Sequence, residues 1–77
     1  MDMSPEILKY LKQIGGNVRA IRIKRKMSIA AIAEAVDITP ETYKAFEAGR
    51  YDPDIKELFR LAEVLKVHPK ELVKDVK

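Results

Sequence analysis

The sequence contains no cysteine and only one histidine, His68. Without thiols there is no disulfide framework and no thiolate metal site, a composition compatible with a reducing, cytoplasmic setting. A single histidine cannot supply a His-based metal cluster or a Ser/His/Asp triad with one to spare. Glycine is scarce, three in 77 residues, and none belongs to a phosphate-cradling loop. Long apolar runs are missing as well. Stretches such as Ile29–Ala33 fall far short of the ~20 residues that a membrane span requires, and no signal peptide is expected at the start of the chain. No acid and base converge in a pattern that suggests catalysis. These absences exclude most enzyme classes and leave a binding module that needs no cofactor or metal and no membrane.

What is present is one domain's worth of chain. A domain this short buries only about 60% of the surface its unfolded form exposes, and the 47% of hydrophobic residues suffices for one compact core. The net charge of +3 is unevenly spread. Residues 1–26 carry seven basic and two acidic side chains, whereas residues 27–49 carry one basic and four acidic. The basic first third points to an anionic partner such as nucleic acid, and the acidic middle opposes it locally.

Helix signals recur along the chain. Ser4-Pro5-Glu6 is a start signal, with serine as the cap and proline in the first turn, where its missing N–H is harmless. Ile7, Leu8, Leu11, Ile14, Val18 and Ile21 then form one apolar face to about Lys26. Gly15-Gly16 interrupts this face at about 1 kcal/mol per glycine, and two outcomes stay open: one kinked helix, or an arm over residues 1–13 followed by a separate helix. The apolar face of residues 7–14 is suited to cover either the domain's own core or a second subunit. Ser28 caps a second helix from Ile29 to Val36, and Thr39-Pro40-Glu41 opens a third that runs to about Ala48. Gly49 stands where a left-handed residue ends a helix. Asp54 with Glu57 opens a fourth, through Leu58, Leu61, Ala62 and Leu65, and His68-Pro69 starts a short fifth carrying Leu72 and Val73. No strand alternation is visible. The expectation is an all-α, compact five-helix bundle, with an arm at 1–13 and a domain at 14–77.

The informative stretch is 29–48. Two helices joined by about three residues must cross steeply, which needs a small residue at the closest approach, and Ala33 supplies it. Ile32, Val36, Ile38, Tyr43 and Phe46 lock the pair to the body, with the two aromatics read as core rather than base-stacking groups. The second helix of the pair is then held outward, where it can enter a major groove.

From about Ile14 to Leu72 the chain resembles the Cro/phage-repressor (Xre-like) helix-turn-helix family, with the lambda-repressor-like fold. The motifs are Ile14-Gly-Gly-Asn-Val-Arg-Ala-Ile-Arg22, Ser28-Ile-Ala-Ala-Ile-Ala33, Ile38-Thr-Pro-Glu-Thr-Tyr43, Phe46-Glu-Ala-Gly49, Pro53 and Leu58-Phe-Arg-Leu-Ala62-Glu-Val-Leu65. The resemblance implies a structural ion pair between Arg22 and Glu47. It implies phosphate contacts from Ser28 and Ile29 and from Arg50. Bases would be read by Thr39, Pro40, Glu41, Thr42, Lys44 and Ala45. Three departures stand out. Ile29 occupies the place of a phosphate-binding glutamine. Pro40, Glu41 and Ala45 replace the bidentate groups that best discriminate bases, although Glu41 can accept from a cytosine amino group. Lys26 and Asp37 replace turn glycines, which predicts mild backbone strain.

Several residues carry two readings. Lys24-Arg25-Lys26, with Arg19 nearby, is either a phosphate-binding strip or a solvated helix end favoured by the dipole. Lys44 is either a DNA contact or a solvated partner of Glu41 or Glu47. His68 is read as a cap or surface residue, and Tyr10 and Tyr51 as exposed. The function expected is sequence-specific binding of double-stranded DNA by a small transcriptional regulator, as a homodimer. The competing reading is a protein–protein interaction module on the same fold, motivated by the acidic middle and docking on a basic protein partner.

Overall fold

The computed structural model describes residues 4–76, which form four α-helices and one short 3-10 turn, without strands among the described residues. The helices are α1 (Pro5–Lys24), α2 (Ile29–Ala35), α3 (Pro40–Glu47) and α4 (Ile55–Leu65). Each opens on a side-chain cap that satisfies a backbone N–H the helix cannot bond itself. Ser4 accepts from Ile7, Ser28 from Ala31, Thr39 from Thr42 and Asp54 from Glu57. At α4 the device is reciprocal, since the Glu57 carboxylate accepts from the Asp54 N–H at 2.9 Å.

A fifth helix was expected after His68, and the structure has only the three-residue 3-10 turn Pro69–Glu71 there. His68 Nδ1 accepts from the Lys70 N–H at 3.1 Å and starts the turn. The Asn17 side-chain amide ends its prospects as an α-helix. It donates to the carbonyls of Leu72 at 3.0 Å and Lys74 at 2.8 Å, so the chain leaves the helical path and Asp75 turns left-handed. Leu72 is buried in the core and fastens this tail.

α1 is one continuous helix across Gly15-Gly16. Its core-facing residues Leu11, Gly15 and Val18 are buried, and Gly15 lets α3 approach backbone to backbone: a Cβ there would lie 2.6 Å from the Glu47 carbonyl oxygen and closer still to that of Phe46. Gly16, on the outer side, meets nothing within 4 Å. The core joins Val18, Ile32, Ala33, Val36, Tyr43, Phe46, Leu61, Ala62, Leu65 and Leu72. Ala33 is fully buried between α2 and its neighbours, and its carbonyl accepts from the Ile38 N–H at 3.0 Å, which fixes the turn between α2 and α3. That turn needs a left-handed residue, and Asp37 supplies it at φ 61°. Lys26 does the same after α1 at φ 58°, and Lys66 after α4 at φ 60°. Lysine has no special tolerance for this region, so both sites carry strain.

Candidate nucleic-acid interface

The centre of the site is α3, which packs on α1 and α2 through one side only. Tyr43 and Phe46 are fully buried, their rings 6.1 Å apart and tilted by 48°. The opposite face of the helix stays in solvent. Pro40, Glu41 and Lys44 are exposed, while Thr42 and Ala45 are half-buried at its margins. Proline in the first turn and the Thr39 cap define where this face begins.

Behind the exposed face lies the group that fixes its orientation. Arg22 Nε donates to Glu47 Oε2 at 2.6 Å and a second guanidinium nitrogen donates to Oε1 at 3.2 Å. The side chains are only 12% and 9% exposed. A third arginine donor reaches the Met27 carbonyl at 3.0 Å, tying α1 and the α1–α2 turn to α3 together. The Tyr43 hydroxyl also donates to Glu47, so the carboxylate receives three donors from two elements. Glu47 holds the Arg22 pKa above its ordinary value through this bidentate hydrogen bond, and burial raises that of Tyr43, reinforced by the same carboxylate. The tyrosine hydroxyl was not foreseen from the sequence, although Tyr43 and Glu47 are four apart and therefore share a helix face.

Around α3 the expected contact residues fall into two groups. Ser28 and Thr39 are exposed N-caps of α2 and α3, with the Thr39 hydroxyl engaged by both the Thr42 N–H and the Thr42 hydroxyl. Arg50 is exposed immediately after Gly49, whose φ of 78° ends α3. Ile29 is half-buried against the core, so this position serves packing. Lys24, Arg25 and Lys26 are all exposed. Arg25 donates to the Lys66 carbonyl at 3.4 Å, at the C-terminal end of α4 where a cation complements the helix dipole. Tyr10 is exposed, whereas Tyr51 is half-buried with its hydroxyl on both oxygens of Glu57, at 2.9 and 2.7 Å. That hydrogen bond pushes the Tyr51 pKa up to about 12.

Among the described residues no group of acidic, histidine or cysteine side chains is placed to hold a metal ion. No described helix is long and apolar enough to cross a membrane.

Residues 18–72 match the helix-turn-helix family HTH_3, of Cro/C1 type. Among solved structures, the restriction-modification controller protein C.AhdI from Aeromonas hydrophila superposes with a TM-score of 0.77 at 22% identity, over 80% of this chain and 94% of that one. The DNA-binding domain of BldD superposes with a TM-score of 0.75 at 29% identity, covering 92% of this chain and 99% of that domain. Hydroxypropylphosphonic acid epoxidase from S. wedmorenis contains a similar fold, with a TM-score of 0.79 at 29% identity over 84% of this chain and 35% of the enzyme. No curated protein matches the chain.

Proposed function

The chain belongs to the Cro/C1-type helix-turn-helix family of DNA-binding regulators rather than to an enzyme family, and we propose that it reads specific double-stranded DNA with α3 in the major groove. One observation carries this reading. α3 is anchored by Tyr43, Phe46 and Glu47 along one side, which leaves Pro40, Glu41, Lys44 and the margin residues Thr42 and Ala45 facing outward together. Thr39 and Ser28 at the helix starts and Arg50 past the helix end take the flanking phosphates. The buried ion pair also changes the charge argument. Glu47 is neutralised by Arg22, so it no longer counts towards an acidic docking surface for a basic protein.

The active species is a homodimer. Its two α3 helices must meet successive major grooves ~34 Å apart on one side of the duplex. The domain measures 31 × 24 × 20 Å, so two copies together are large enough to reach both grooves. The surface suited to join them lies on α4 and the 3-10 turn, where Ile55, Phe59 and Val73 are 69%, 54% and 45% exposed around a groove of about 200 Å³.

The test is fluorescence anisotropy with labelled duplexes at rising salt, followed by selection from a random duplex pool. Binding that weakens steeply with salt, together with an enriched and roughly palindromic sequence, supports the reading. Absence of binding to any duplex at low salt, at the ~100 μM where even non-specific phosphate contact registers, ends it. If Glu41→Lys instead disrupts a stoichiometric protein complex isolated from the host, the interaction module takes its place.

A further inference from the structure

The N-terminal half of α1 precedes the family match, yet it abuts the end of the helix proposed to enter DNA. Gly49 stands directly against the Lys12 backbone: a Cβ on Gly49 would lie 2.7 Å from Lys12 Cα. Lys12 therefore neighbours the turn that carries Arg50. The same side of α1 meets α3 at two further points, through Gly15 against the Phe46 and Glu47 carbonyls and through Arg22 on Glu47. Helical periodicity places Lys12 and Arg19 at the border of this contact, three residues before Gly15 and four after it, with Lys9 one turn beyond Lys12. All three are exposed. Among the described residues none of them enters an ion pair, and α1 contains no acid after Glu6. Across the seam, Lys44 lies three residues before Glu47 and so occupies the α1-facing edge of the exposed face of α3.

We propose that Lys9, Lys12 and Arg19 form a second phosphate-binding strip on α1, gripping the backbone of the duplex that α3 reads. This rests on the function proposed above. The strip runs about 15 Å along α1, from Lys9 to Arg19, long enough for its cations to meet more than one phosphate of the same strand. A row of like charges with no acid between them suits a uniform polyanion better than a protein surface of mixed character. The strip joins Lys44 and Arg50 into one cationic border beside α3, and it extends the footprint beyond the helix-turn-helix itself.

The experiment uses the full chain and a labelled duplex of arbitrary sequence, because phosphate contacts are independent of sequence. Lys9→Gln/Lys12→Gln keeps helix propensity nearly unchanged. Removing two phosphate contacts lowers the slope of log K against log salt by about 1.8, so that between 50 and 200 mM salt the variant loses about twelvefold less affinity than the wild type. Lys56→Gln/Arg60→Gln, two exposed cations on α4, serves as the charge-matched control and leaves the slope unchanged. Circular dichroism verifies folding, and Arg19→Gln supplies a separate arm should the double variant fail to fold. A wild-type slope retained by the double variant, or by Arg19→Gln in its stead, overturns the strip and leaves DNA binding intact. An equal drop in the α4 control also overturns it, by showing a net-charge effect. A wild-type chain that binds no duplex removes both readings together.

Discussion

Two adjacent glycines in α1 should respond oppositely to the same substitution. In a helix interior alanine is favoured over glycine by about 1 kcal/mol, because glycine loses more backbone freedom on folding. Gly16 faces open space, so Gly16→Ala gains this amount in full. At Gly15 the new methyl group would sit 2.6 Å from the Glu47 carbonyl oxygen, against the 3.4 Å of ordinary contact. The obstruction is backbone, which no rotamer change relieves, and the Phe46 carbonyl oxygen is nearer still, so α1 and α3 must separate by about 1 Å. That shift also stretches the Arg22–Glu47 hydrogen bonds, now 2.6 and 3.2 Å. Overpacking of this kind costs up to about 3 kcal/mol, and subtracting the propensity gain leaves Gly15→Ala about 2 kcal/mol less stable than the wild type. The two variants should thus lie about 3 kcal/mol apart, which is about 12–24 °C in Tm for a domain of this size. Urea and thermal unfolding followed at 222 nm measure both. If both variants move in the same direction, or if Gly15→Ala is neutral, the close α1–α3 approach is not as described.

Arg22→Met or Glu47→Leu alone should cost about 3–5 kcal/mol by stranding a charge, whereas the double variant should recover a large share in denaturant titrations. Alkaline pH should destabilise the fold through its tyrosines. Both Tyr43 and Tyr51 hold their protons above the ordinary value near 10, so the unfolded chain releases them first and stability falls as pH rises beyond it. For Tyr51 the loss runs from pH 10 to about 12, and Tyr51→Phe should flatten the profile in that window relative to wild type. Lys26→Gly and Lys66→Gly should each stabilise by about 1 kcal/mol, since glycine adopts the left-handed conformation freely, and equal or lower Tm values would contradict this. Glu41→Gln should raise affinity for every duplex by removing a carboxylate from the DNA-facing side. Because Glu41 lies in the first turn of α3, the same change should lower stability by about 0.3–1 kcal/mol.

Local chemistry made the helix boundaries legible. Ser28, Thr39 and Asp54 cap where a small oxygen-bearing side chain precedes a helical pattern, because the bond spans only three residues. His68 caps a turn on the same principle. The inward side of α3 was legible from Tyr43 and Phe46, whose spacing leaves few other faces to bury. The structure departs from the sequence reading where a distant group decides. Asn17 looks like an ordinary polar residue on α1, yet it claims carbonyls 55 and 57 positions away and thereby turns a fifth helix into a single 3-10 turn. Arg25 belongs to a basic run in sequence, and the structure adds a hydrogen bond from it to the Lys66 carbonyl at the end of α4, 41 positions away.

The glycine pair shows why the site itself was harder to see than the fold. Read along the chain, Gly15 and Gly16 are equal interruptions of one helix, and their difference exists only once α3 is in place. The same holds for the charges. Residues 27–49 are acidic by count, but Glu47 is spent inside the seam with Arg22 and Tyr43, so the count overstates the negative charge available to a partner. Conversely, Lys12 gains its place beside Arg50 only because Gly49 has no side chain to hold the two backbones apart. A surface is what remains after packing has consumed its share of residues. Its electrostatics therefore follow from the tertiary contacts, and here these turn an acidic stretch of sequence into a helix face bordered by cations.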